Sequence, residues 1–89
     1  DGYIIDSLGW VLFRMGLMRD AITQLRRAYE LRPEGEVGAH LGEVLWANGQ
    51  RDEAMKIWVK LLKETPVSDT LTGTVKRLAP SLLQPAAAK

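Results

Sequence analysis

With 89 residues, 46% apolar and 26% charged, the chain has room for one small domain. It lacks cysteine, which excludes a disulfide framework and a thiolate zinc site. Twelve basic against eleven acidic residues leave a net charge of +1, too little field to draw in nucleic acid. No apolar run approaches the ~18 residues of a membrane span, so direct membrane insertion is not expected either. The chain opens on Asp1 with no signal peptide and reads as a piece of a longer protein.

Taken in order, residues 3–15 predict a first helix. Ile4, Ile5, Leu8, Val11, Leu12 and Met15 keep the i, i+3, i+4, i+7 spacing, and Gly16 supplies the stop. A second helix spans about 19–31 with Ile22, Leu25, Ala28 and Tyr29 on its apolar side, closed by Pro33 and Gly35. The pattern restarts over about 36–48 with Val37, Leu41, Val44 and Leu45 inside and Gly49 as the stop. A fourth helix, about 52–63, carries Ala54, Ile57, Trp58 and Leu61 and ends before Pro66. Ser68 is the N-cap of a fifth, with Asp69 in its first turn, Leu71, Val75 and Leu78 on one face and Pro80 as its end. Residues 80–89 read as a flexible tail with little to pack.

The second pair of helices copies the first. A shift of 33 residues places Gly2, Leu8, Gly9, Val11, Leu12, Gly16, Ala21 and Pro33 on Gly35, Leu41, Gly42, Val44, Leu45, Gly49, Ala54 and Pro66. Conservative matches fill the gaps, among them Ile4 with Val37, Phe13 with Trp46, Asp20 with Glu53 and Arg27 with Lys60. A fixed period of this size marks a stacked architecture, in which one unit cannot bury its own apolar face. Gly9 and Gly42 each cost a helix interior ~1 kcal/mol relative to alanine. Their repetition in register therefore predicts a close helix approach, with Ala21 and Ala54 as the facing small residues.

The order Leu8-Gly9, Leu12, Gly16, Ala21, Leu25, Ala28, Pro33 and its second copy resembles the tetratricopeptide repeat. The likeness covers about residues 2–66. Trp58, Leu61 and a link one residue short depart from the pattern. The resemblance implies an all-α fold, a right-handed superhelical stack of helix-turn-helix tetratricopeptide hairpins with five helices. The repeats would be 2–34 and 35–67, residues 68–79 a capping helix, and residues 1–79 the domain. It also implies the C-terminal part of a longer bacterial repeat protein, in the cytoplasm or on the periplasmic side of the envelope.

No catalytic, cofactor-binding or metal site is expected. His40 has no second histidine or cysteine to form a metal set, and its neighbour Glu43 comes with no nucleophile or phosphate loop. His40 is read as a packing or rim residue. Arg26, Arg27 and Arg32, with Asp20 and Glu30, read as a solvated helix face of i, i+4 pairs.

The surface remains. In the family, the first helix of each hairpin lines the inner face. The resemblance carries this to Tyr3, Asp6, Trp10, Phe13 and Arg14, and to Glu36, Ala39, Glu43, Trp46 and Ala47. Tryptophan, tyrosine and arginine dominate binding energy at interfaces, so Tyr3, Asp6, Trp10, Phe13, Arg14, Glu36, Glu43 and Trp46 are the candidate partner-binding residues. Family members that grip a C-terminal carboxylate use lysine and asparagine where this chain has Asp6 and Trp10. Asp6 would repel such a ligand. Two expectations follow. One is a non-catalytic module binding a peptide or partner protein on the concave face. The other is a structural end-cap or self-association segment of a longer solenoid, because the first helix is apolar almost all round and needs a neighbouring hairpin or subunit to cover it.

Overall fold

A computed structural model of the chain describes residues 1–64 and 66–83. Five α-helices appear where hydrophobic periodicity placed them: α1 (Gly2–Arg14), α2 (Met18–Leu31), α3 (Gly35–Ala47), α4 (Arg51–Leu62) and α5 (Asp69–Leu78). The first four begin one residue earlier than their apolar pattern does. The Asp1 side chain caps α1 by accepting from the Tyr3 N–H at 2.7 Å. Ser68 does the same for α5, accepting from Leu71 N–H at 3.2 Å.

The two hairpins turn by one device. Gly16 and Gly49 adopt φ of 83° and 85°, the left-handed conformation that glycine enters without a Cβ penalty. Leu17 and Gln50 then each donate back to the carbonyls of Leu12 and Leu45 at 2.9 Å, closing the same Schellman turn twice. Both chain reversals are thereby fixed, and α2 lies antiparallel on α1 as α4 does on α3.

Inside each hairpin the helices approach at the interior glycines, but the facing residues are not the expected alanines. A Cβ at position 9 would stand 2.6 Å from Leu25 Cγ, and one at position 42 would overlap the Trp58 indole. Leu25 and Trp58 are themselves 33 residues apart. The bare backbone thus admits a large side chain one turn beyond Ala21 and Ala54, which are fully buried nearby. Trp58 lies so close over α3 that its indole N–H finds no acceptor among the described residues. A second exchange of volume explains Leu61. It fills the space left by Gly38, whereas the same two places in the first hairpin hold Ala28 and Ile5. The bulk has moved from the first helix to the second.

The core gathers around α3. That helix packs on α2 and α4, and α5 packs on α3 more than on α4. Fully buried Leu25, Leu41, Val44, Leu45, Trp58, Leu61, Leu71 and Val75 form its centre. α3 buries Val37, Gly38, Ala39, Leu41, Gly42, Val44 and Leu45, whereas its counterpart α1 buries only Gly2, Asp6 and Gly9. Residues Pro80–Leu83, at the start of the segment read as a flexible tail, form a 3-10 turn with Leu82 packed against the core. The rest of that tail, residues 84–89, lies outside the described residues.

The glycines supply an internal control. Gly73 in α5 has open space where its Cβ would be, so Gly73→Ala is expected to raise stability by up to ~1 kcal/mol through helix propensity. Gly42→Ala gains the same propensity but overpacks Trp58, and a net loss of ~1–3 kcal/mol is expected. Urea denaturation of the two variants checks both; equal midpoint shifts would contradict the packing account.

Candidate interaction surface

The seam between the two hairpins is polar at its centre. Asp6 on α1 is buried, and both its carboxylate oxygens lie against His40 Nδ1 on α3, at 2.9 and 3.0 Å. An ionised carboxylate only accepts, so Nδ1 carries the proton and donates. The imidazole is thereby oriented, and its face carries the Trp10 ring, stacked at 4.5 Å between centroids. Phe13, one turn on, tilts against the same indole at 5.1 Å. Asp6 therefore holds His40, and His40 backs Trp10. Asp6, expected on the inner row, turns its carboxylate to the imidazole of the neighbouring hairpin.

The other inner-row residues fall in separate places. Tyr3 sits at the open end of the hairpins, its phenol donating to Glu34 at 2.7 Å and its ring beneath the Arg32 guanidinium at 4.6 Å. The hydrogen bond to Glu34 raises the Tyr3 pKa, since the phenol must keep its proton to donate. Glu43 is half-buried and accepts two bonds from Arg77 of α5, at 2.7 and 3.1 Å, which raises the arginine's pKa. Trp46, near the Gly49 turn, packs between Trp58 and the Arg51 guanidinium. Arg14, Glu36 and Ala47 are exposed, and Ala39 is buried. The structure brings together Asp6, Trp10 and Phe13, and adds His40. It does not place Tyr3 or Trp46 in that cluster.

The arginines of α2 do not form the solvated face of intrahelical pairs expected from their spacing. Arg26 reaches across to α4 and grips Glu53 with both guanidinium nitrogens, Nη2 donating to Oε1 at 3.1 Å. Arg32 lies over Tyr3, and only Arg27 bonds within its helix, to Gln24. The Arg26 hydrogen bonds hold the Glu53 carboxyl below its ordinary pKa.

His40, Arg77 and Arg51 are contributors that sequence reasoning did not assign to the surface. A signal for two of them existed. Asp6 and His40 are 34 residues apart, as are Glu43 and Arg77. An acid on one first helix thus meets a base one repeat and one residue later, and α5 takes the place beside α3 that α3 takes beside α1. Among the described residues no cluster of three or more histidine, cysteine or acidic side chains could hold a metal ion. No described helix is long and apolar enough to cross a membrane.

No family model matches the chain. A TPR repeat-containing protein of Pseudomonas aeruginosa is 49% identical over 78 residues, which is 88% of this chain and 13% of that protein. The chain therefore spans a small fraction of that relative's length.

Acid titration tests the Arg26–Glu53 bridge between hairpins. A carboxyl with a lowered folded-state pKa contributes stability that is present above its unfolded value, near pH 4.5, and lost as pH falls through the folded value. Both groups are well exposed, so the full contribution is a few tenths of a kcal/mol to about 1. Glu53→Gln is expected to lower stability by that amount at pH 7 and to converge on the parent as pH falls through the folded value. A stability gap independent of pH, measured by urea denaturation, would contradict an ionic role.

Proposed function

The chain belongs to the tetratricopeptide repeat family, and we propose from that premise that it is a non-catalytic protein-interaction module. Its ligand is a peptide or a segment of a partner protein, bound along the inner faces of α1 and α3. One observation carries this reading: Trp10 is a half-buried indole, backed by an imidazole that a buried carboxylate holds in place. An interface anchor gains from such fixing, because less side-chain freedom is lost when the partner arrives. Phe13 widens the same apolar shelf, and Arg14, the next residue along, gives it an exposed charged edge.

The non-catalytic half of the reading rests on the same contacts. Asp6 and His40 are paired through Nδ1 as the acid and base of a nucleophilic site are, but among the described residues no serine, threonine or other nucleophile is hydrogen-bonded to the remaining Nε2, and the ring face carries Trp10. The dyad orients an indole. A structural role, as an end-cap or self-association segment of a longer solenoid, draws on a different observation, the exposed apolar side of α1.

Peptides selected from a random displayed library against the 89-residue chain provide the test. Trp10→Ala and Phe13→Ala are expected to weaken their binding at least tenfold, and Arg14→Ala, at an exposed position, to weaken it several-fold with no change in melting temperature. Trp10→Phe, which keeps a ring on His40, is expected to retain part of the affinity. The reading fails if binders are unaffected by all three alanine variants, or if affinity is lost only in proportion to helicity.

A further inference from the structure

We propose that the solvent-facing side of α4 is a second binding surface, which takes an acidic amphipathic helix of a partner protein. It shares no residue with the Asp6–His40–Trp10 cluster, so the proposal stands apart from ligand binding on the inner faces.

Asp52, Met55, Lys56, Val59, Lys60 and Lys63 stand at i, i+3, i+4, i+7, i+8 and i+11, on one face of α4 and its C-cap. Together they line an open trough of about 630 Å³. Val59, 38% exposed, and half-buried Met55 make its apolar floor. The lysine stems widen that floor while their ammonium groups stay in water.

Charge identifies what fits. Lys56, Lys60 and Lys63 repeat at i, i+4 and i+7, all exposed, and none is in an ion pair among the described residues. Arg26 and Arg77, by contrast, are each engaged by a glutamate. The repeat does not dictate the lysine row. The same places 33 residues earlier hold Thr23, Arg27 and Glu30, one neutral, one basic and one acidic. Like charges one turn apart oppose the helix that carries them, so the row costs α4 stability and gains no ion pair within the described chain.

The stack leaves this side of α4 open. α3 packs on α2 more than on α1, but α5 packs on α3 more than on α4, and no α5 residue lines the trough. Val59 also stands at the place of Arg26, so the bridge from α2 to the next second helix has no successor here. A partner helix with an apolar row beside acids at i, i+4 and i+7 meets both stripes with one pitch. A second copy of this chain offers no such row, since none of its described helices has acids at i and i+4. An anionic membrane fits less well. Asp52 closes one end of the trough, and a net charge of +1 gives no general attraction.

The probe is a labelled designed helix of about five turns, with a leucine row beside glutamates at i, i+4 and i+7. Fluorescence anisotropy with the 89-residue chain is expected to show saturable binding that weakens as salt is raised. Lys56→Glu and Lys60→Glu should each weaken it about tenfold without lowering the urea midpoint, and Val59→Asp should weaken it as much. Trp10→Ala should leave it unaltered. The proposal is overturned if the helix does not bind, if polyglutamate binds as tightly, or if exchanging the probe's glutamates for lysine changes nothing. It is equally overturned if both lysine reversals are without effect, if affinity falls only in proportion to helicity, or if phosphatidylglycerol vesicles bind the chain and the helix does not.

Discussion

Each hairpin depends on one steric allowance: a stretch of first helix without a side chain, on which a large residue of the second helix rests. Leu25 lies on Gly9 and Trp58 on Gly42. Each glycine costs its helix about 1 kcal/mol. Full burial of a leucine or tryptophan returns more than that. With the separation of paired helices set there and the reversal set by Gly16 or Gly49, the direction of every other side chain follows. Val37, Leu41 and Val44 are buried, with Leu41 beside Arg26 and Tyr29 of α2, and Asp6 and His40 meet across the seam between first helices.

That seam gives the stack its register. A buried carboxylate without a partner is costly, so a slip of one turn between α1 and α3 would leave Asp6 desolvated and unpaired. The Glu43–Arg77 pair repeats the arrangement between α3 and α5 with the same 34-residue separation. Arg26–Glu53 ties the second helices together on the other side. Apolar contacts supply most of the stabilisation, while these acid–base contacts select among ways of stacking nearly identical hairpins. They also bear on the proposed function, because the pair that aligns α1 with α3 holds the Trp10 ring in position.

Much of the fold was legible in the sequence, for physical reasons. Period-3.6 apolar patterns, glycines at the turns and the Ser68 cap are local signals, and all five helices lie within a residue of where those signals put them. The residue facing Gly9 was not legible. Ala21 and Leu25 share one helix face, and periodicity cannot tell which turn meets the glycine. Asp6 was placed on the inner row from its position in the repeat, but whether it meets a ligand or a neighbouring helix depends on His40, which belongs to the other hairpin. The arginines of α2 misled in the same way, since helical spacing shows neighbours within a helix and hides Glu53 and Tyr3 on others. The 34-residue acid–base spacing was visible but carried no meaning until the stacking direction was known.

α1 and α3 are near copies in sequence and opposites in environment. α3 is packed on by α2, α4 and α5, whereas α1, among the described residues, is packed on by α2 and by the edge of α3. Native-state amide hydrogen exchange, residue by residue on the 89-residue chain, tests that contrast most directly. Amides of Leu41, Val44 and Leu45 are expected to exchange only through global unfolding, while those of Leu8, Val11 and Leu12 exchange through a lower-energy opening of α1. Equal protection of the two helices would contradict this expectation.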